Sequence, residues 1–317
     1  MKGKKVAWSQ LYNKYGVLLI LLVEIVVFTL LSDSFFTLKN LLSIGRQVSF
    51  TGIAAVGATF LMVAGGIDLS SGSLLAFSGV LSTMLMVKHH VPMAAAILIT
   101  LAAGAAVGLI NGVSYTRFHI SPLIATLAMQ TILKGAAYLL TNAAPVYGIS
   151  NSFRLLGQGY LFGLIPIPFI IMLIIFAFGF WLLGASRFGR HIYAVGGNEE
   201  AARLSGINTR RVAMIVFAGS GLFAALAGIL MAGRLGSGQP SIGADFPMDV
   251  ITAIVLGGVS INGGSGKLSG VLVGVLIMGI LSTGMIMIGL SDYLQWVIRG
   301  VVLLFAVAVS NINSQTH

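Results

Sequence analysis

Gly264-Ser265-Gly266-Lys267 ends as a phosphate-cradling loop ends, and Gly219-Ser220-Gly221 with Ala224 has the spacing of a relaxed dinucleotide fingerprint. Either pattern would turn backbone N–H groups, and in the first case an ammonium, toward phosphate oxygens. Both fail. The phosphate loop needs glycine where Ile261 stands and Ser or Thr where Leu268 stands. The dinucleotide pattern lies inside an apolar run with no strand before it. The five histidines, two of them adjacent at His89 and His90 in a short turn, give no metal-ligand spacing. Zero cysteines remove disulfides, iron–sulfur clusters and thiolate metal sites. The chain therefore has no visible means of hydrolysing ATP, no catalytic pair, no metal site and no expected cofactor.

What remains is the chemistry of passage and of coupling. Residues 64–72, Ala-Gly-Gly-Ile-Asp-Leu-Ser-Ser-Gly, set the carboxylate of Asp68 among glycines and hydroxyls, and a similar break, Leu-Gly-Gly-Val-Ser-Ile-Asn-Gly-Gly, spans residues 256–264. Paired glycine interruptions are how transporters supply discontinuous helices around a pathway. The simpler reading is two tight cytoplasmic turns, with Asp68 capping the helix that follows through its neighbours. Gly65, Gly66, Asp68, Ser70, Asn111, Gln130, Gly257 and Gly258 are the candidate pathway or gate residues. Glu24, Lys134 and Arg299 also fall within apolar runs, where charge defaults to a functional role, a partner or a snorkelled position. Clustered Asp, Glu and His of a proton relay are absent. A pathway of Gly, Ser, Thr, Asn and Gln suits a neutral, hydroxyl-rich solute.

Residues 187–211 form a polar, mostly basic island whose middle predicts a very short capped helix. Asn198 sits at the N-cap, Glu199 and Glu200 occupy the first turn where acid suits the helix dipole, and Ala201, Ala202, Arg203 and Leu204 continue it. Gly206 then Ile207 read as a glycine C-cap with its trailing apolar contact. A helix of about two turns is marginal alone. A partner protein must hold it.

The elements that position these residues are membrane helices. Only 8% of the 317 residues are charged, where a soluble domain carries about a quarter; 57% are apolar and the mean hydropathy is +1.00. The expected fold is an all-α integral membrane protein of about ten transmembrane helices with one or two glycine-broken segments: residues 16–31, 47–62, 72–87, 93–112, 122–141, 165–184, 212–233, 249–261, 268–289 and 294–311. The eighth is short and reads as a half-helix or re-entrant piece. All 317 residues are expected to form a single transmembrane domain with a coupling loop at 185–211. With the N-terminus inside, Lys2, Lys4, Lys5, Lys14, Arg117, Arg187, Arg190, Arg203, Arg210, Arg211 and Lys267 fall on the cytoplasmic side, and Lys39, Arg46, Lys88, Arg154 and Arg234 on the other, eleven against five. Both termini are then cytoplasmic, and topology explains the +10 net charge without nucleic acid. Leu31-Ser32-Asp33-Ser34-Phe35 offers no Ala-x-Ala site, which favours an uncleaved first span over a signal peptide. Small-residue stripes at Gly104/Gly108/Gly112, Ala224/Gly228/Ala232 and Gly270/Gly274 predict close helix packing, within one subunit or between subunits.

Several ordered segments carry a family resemblance: Ser34-Phe35-Phe36-Thr37 with Asn40-Leu41-Leu42; Gly65-Gly66-Ile67-Asp68-Leu69-Ser70 with Gly72-Ser73; Phe188-Gly189-Arg190 with Tyr193-Ala194; Gly196-Gly197-Asn198-Glu199 running into Ala201-Ala202-Arg203-Leu204-Ser205-Gly206-Ile207; and Asp249 with Gly257-Gly258 ahead of Gly263-Gly264. Over nearly its whole length the chain resembles permease subunits of bacterial ABC importers for monosaccharides, the ribose permease type. The resemblance implies a multi-pass protein of the bacterial inner membrane that pairs with a second permease copy, as homodimer or heterodimer, across a central pathway. It implies docking on a cytoplasmic ATPase subunit, which binds ATP and Mg, and delivery of sugar by a periplasmic or lipid-anchored binding protein. Asn198 to Gly206 match the loop that would couple to the ATPase. The rival reading is an ion-gradient-coupled carrier, which explains the spans and glycines but not a capped, charged two-turn helix in the largest cytoplasmic loop.

Overall fold

Apolar length sets the frame. The computed structural model describes residues 2–314, with side chains described for residues 16–308. Lys2, Lys4, Lys5 and Lys14, which weigh in the charge asymmetry, have side chains outside the described set. Thirteen helices run in order among the described residues: α1 Lys2–Leu31, α2 Leu38–Val63, α3 Ser71–Val87, α4 Met93–Phe118, α5 Pro122–Thr141, α6 Asn151–Gln158, α7 Ile167–Ala185, α8 Arg187–Gly197, α9 Glu199–Leu204, α10 Thr209–Leu235, α11 Phe246–Leu256, α12 Leu268–Met287 and α13 Asp292–Ser314. Six of them, α2, α4, α5, α7, α10 and α12, are long and apolar enough to cross a membrane, and Gly16–Leu31, α3 and α11 are shorter apolar helices. A two-residue antiparallel pair, β1 Tyr160–Leu161 with β2 Ile165–Pro166, departs from the all-α expectation in the turn before α7.

Burial divides the helices by role. The apolar windows of α2 and α10 are 78% and 67% buried, whereas that of α4 is 22% buried, so α2 and α10 are central pillars and α4 turns most of its surface outward. The small-residue stripes explain how the pillars are clad. Gly104 and Gly108 of α4 lie against the backbone of Phe217 and Gly221, Gly228 of α10 lies against the Leu75 carbonyl of α3, and Gly270 and Gly274 of α12 face Gly257 and Ala253 of α11. All three stripes pack within the chain.

Two helices start halfway. Ser220 lies eleven residues into α10, about 16 Å along it at 1.5 Å per residue. The first turn of α3 meets α10 just beyond that level, with Leu74 against Ala224. Contacts of Ala253 with Gly274 and of Gly257 with Gly270 put the end of α11 at the start of α12, so its eleven residues also begin near mid-depth. The two starts touch where Gly72 lies against the Gly243 carbonyl and the Pro247 ring, a space no Cβ fits. The short eighth apolar segment, α11, and α3 are thus both short apolar helices that begin partway along their long neighbours.

The expected boundaries need three corrections. Arg46 lies inside α2, not in an outer loop. Its charge interrupted the apolar window, but its guanidinium sits 4.5 Å over the Tyr160 ring and donates to the Gln158 carbonyl at 3.0 Å. Residues 187–197, read as part of a polar loop, form α8, whose N-cap Ser186 accepts from the Gly189 N–H at 2.9 Å. The short α6 was also not expected. Both are amphipathic elements lying outside the spans.

Candidate functional site

The short helix α9 forms as its residues dictate. Asn198 Oδ1 accepts the Ala201 N–H at 2.9 Å. At the other end Gly206 adopts φ +85°, its N–H donates to the Arg203 carbonyl at 3.0 Å, and the Ile207 N–H donates to the Ala202 carbonyl at 3.1 Å. This is the double closure in which glycine follows the C-cap. Ala202 alone of α9 is buried, at 4% exposure, while Leu204 stands 80% exposed with Glu199, Glu200 and Arg203 around it. The Arg203–Glu200 pair, 3.5 Å apart and open to water, contributes little to stability and leaves both charges available. A cleft of about 760 Å³ opens beside α9, lined by His119, Glu199, Glu200, Arg203, Asn208 and Arg210 among others. Across it Tyr115, near the end of α4, donates its hydroxyl to Glu199 Oε2 at 3.0 Å.

On its other side α9 continues from α8 into a joint made of backbone. Gly196 lies directly against the Val63 carbonyl that ends α2, and that carbonyl accepts the Gly264 N–H at 2.8 Å. Gly263, at φ +85°, fits between Gly65 and the Gly196 carbonyl. Tyr193 donates to the Gly266 carbonyl at 2.8 Å, and burial pushes its phenol above the usual range, which keeps the donor proton in place. The loop that mimicked a phosphate site is this joint. Gly65 of the first break and Gly263 of the second thus meet at the root of α9.

The first break then climbs to a buried polar cluster. Asp68 is 6% exposed; its Oδ1 accepts the Ser70 N–H at 2.9 Å and the Ser70 hydroxyl at 2.5 Å, and its Oδ2 accepts the Ser220 hydroxyl of α10 at 2.8 Å. Asn111 of α4 donates to Ser70 Oγ at 3.3 Å. The bonds that end on the Asp68 carboxylate are charge-assisted and worth more than neutral ones. Asp68 reaches the start of α3 through its neighbour. It takes the N–H of Ser70, which is itself the N-cap, and ties α10 to the break directly and α4 through Ser70. Ser220 lies between two glycines, and nothing local marks it as a partner of Asp68, 152 residues away.

A second polar cluster faces α11. Arg299 of α13 pairs with Asp249 at 3.2 Å and donates to Ser282 at 2.9 Å, while Gln47 of α2 donates to the same hydroxyl at 3.2 Å. A small void of about 40 Å³ lies beside it, room for about one water. Arg299 thus has the carboxylate partner the sequence left open.

Of the candidate pathway residues, the structure joins Asp68, Ser70 and Asn111 in one network and sets Gly65 in the glycine joint. Gly66 lies against the Leu61 side chain. Gly257 and Gly258 close the end of α11, with the Gly258 N–H donating to the Val255 carbonyl at 2.9 Å. Gln130 sits half-buried on α5 outside the network, and Lys134 is exposed on the same helix. Glu24 lies on α1, which packs against α12, while Asp68 lies in the break between α2 and α3. Among the described residues no His, Cys, Asp and Glu cluster could hold a metal ion.

A family model described as branched-chain amino acid transport system / permease component matches residues 40–307. The ribose import permease protein of Escherichia coli strain K12 is 42% identical over 300 residues, 93% of this chain and 92% of that protein. The ribose import permease protein of Bacillus subtilis strain 168 is 39% identical over 306 residues, covering 96% and 94%. The L-arabinose transport system permease protein AraH of Escherichia coli strain K12 is 36% identical over 308 residues, covering 95% and 91%. No solved structure matches the chain.

Proposed function

This chain belongs to the permease-component family of ABC importers, and we propose that it is the membrane-spanning subunit that carries a ribose-like monosaccharide into the cytoplasm by alternating access. The observation that carries this is α9: a capped helix too short to stand alone, presenting Leu204 and three charges over an open cleft, and rooted in the glycine joint. In this reading the face bearing residues 187–211 is cytoplasmic, as are both termini. A separate ATPase subunit docks there and supplies the ATP, Mg and phosphate loop that this chain lacks.

The whole chain is read as one transmembrane domain of ten membrane segments, with α6, α8 and α9 outside them and α3 and α11 as half-helices. Closure of the ATPase on ATP would move α9 and rock the spans as rigid bodies. The outer face receives sugar from a binding protein, and its cations support a polar partner: Arg46 and Arg154 lie there, and Arg234 stacks 5.4 Å over Phe50. Two copies of the chain enclosing one pathway is the favoured assembly. The polar network around Asp68 carries hydroxyls and amides, which suits a neutral solute passing nearby. The gradient-driven carrier finds no supporting observation.

The test is recovery of the protein from its native membranes in mild detergent, with mass spectrometry of what stays bound. An ATPase subunit with phosphate-loop motifs is expected, and it is lost when Glu199, Glu200 and Arg203 are all changed to Ala. Recovery of the pure chain, under conditions that hold comparable complexes together, would refute the importer reading.

A further inference from the structure

The docking helix α9 is held from two sides, and both holds lead to the same short segment, residues 64–70. From α8 the route is backbone on backbone: Gly196 against Val63, and Gly263 wedged between Gly196 and Gly65. The other route is a line of side chains along α4. Tyr115 donates to Glu199 Oε2 at 3.0 Å, and its ring packs against Phe217 of α10 with centroids 6.2 Å apart. Four residues earlier, hence on the same helix face, Asn111 is 1% exposed and donates to Ser70 Oγ, whose own proton goes to Asp68. At Gly104 and Gly108 the α4 backbone is too close to that of α10 for any Cβ, so α4 and α10 move as one body. Ser220 of α10 completes the attachment by donating to the other oxygen of Asp68.

We propose that Tyr115 is a positioning residue for energy coupling: its hydroxyl clasps the docking helix to α4, and α4 delivers the displacement of α9 to Asp68 through Asn111 and Ser70. The proposal rests on the reading of α9 as the ATPase-docking helix. Its physical content is a matter of constraint. Moved only at Gly65, the segment 64–70 pivots about the anchored Asp68. Moved at Gly65 and Asp68 together, it translates as a unit with the half-helix α3 that follows it. Residues 205–208 join α9 to α10 by a turn, and the Tyr115 clasp adds the side-chain tie that fixes α9 to the α4–α10 body and so favours the second motion.

The experiment compares wild type with Tyr115→Phe, which removes one oxygen and keeps the ring. The full importer, with its ATPase subunit and binding protein, is reconstituted in proteoliposomes with ribose as the probe solute. Uptake per ATP hydrolysed is expected to fall about three- to tenfold, the fold-change that loss of one hydrogen bond carries, with ATPase association at the wild-type level. Asn111→Ala should lower the ratio as well, and the double variant should fall no further than the worse single, because the two residues are links of one path. A wild-type ratio in Tyr115→Phe, or a multiplicative fall in the double variant, overturns the proposal. Loss of ATPase association in Tyr115→Phe overturns it too, because the hydroxyl would then act in docking. If the wild-type chain binds no ATPase, the docking reading fails instead, so the two failures are told apart.

Discussion

Proline at Ala202 is the sharpest perturbation of the docking helix. The Ala202 N–H donates to the Asn198 carbonyl at 3.0 Å, and proline removes that donor while driving its ring into the same carbonyl. It also biases Ala201 away from helical geometry, which takes with it the 2.9 Å bond from the Ala201 N–H to Asn198 Oδ1. A proline inside a helix costs about 3 kcal/mol or more. A six-residue helix has no reserve from which to absorb that. The damage stays local, because α8 and α10 start from their own caps, Ser186 accepting from Gly189 at 2.9 Å and Asn208 accepting from Arg211 at 3.0 Å. If the ATPase binds folded α9, 3 kcal/mol corresponds to a loss of affinity somewhat above about a hundredfold. Titration of the ATPase subunit onto solubilised permease reads this directly, with uptake in vesicles as the functional companion. Ala202→Gly, which costs about 1 kcal/mol, sets the lower mark at about fivefold. An Ala202→Pro variant within about threefold of wild type, equally abundant in the membrane, would sink the argument that α9 must be helical to dock.

Arg299→Met leaves the half-buried Asp249 carboxylate without its partner and is expected to cost about 1–3 kcal/mol in thermal unfolding of the solubilised protein. Adding Asp249→Leu to the same chain should recover most of it, and a single variant that melts like wild type would show that the pair holds nothing. Gly263→Ala would place a Cβ 2.9 Å from Gly65 at a left-handed φ, and the φ alone costs about 1–2 kcal/mol. Gly219→Ala, where nothing lies within 4 Å in an ordinary helix, should instead gain up to about 1 kcal/mol. Equal tolerance of alanine at the two positions, read by melting and by uptake, would refute the tightness of the joint.

What the sequence discloses here follows the range of the interaction. Caps act over three or four residues, so Asn198, Gly206 and Ile207 stand where their types put them, and α5 runs from Pro122 to Thr141 as its apolar run indicates. Small-residue stripes disclose that a helix packs closely but not against what; only the fold shows Gly108 meeting Phe217. Window-based reading fails where a charge is satisfied at long range, as for Arg46 on Tyr160, because hydropathy counts the guanidinium and ignores its ring partner. The Asp249–Arg299 and Asp68–Ser220 bonds join residues 50 and 152 apart, beyond any periodic signal. The glycine breaks were visible as breaks. That one pair of them converges on the root of α9 required tertiary structure.

The joint at Gly65, Gly196 and Gly263 has a mechanical consequence. Side chains are compliant: a rotamer can turn and absorb a push before the backbone behind it yields. Here main chain rests on main chain, and there is no side chain to give way. Such a bearing has almost no backlash, so the first increment of displacement at α8 already moves the end of α2 and the loop between α11 and α12. Stiffness of that order comes with intolerance, since a Cβ at Gly196 would meet the Val63 carbonyl and one at Gly263 the Gly65 main chain, with no side chain to make room. The chain thus accepts a brittle point in exchange for transmission without lost motion.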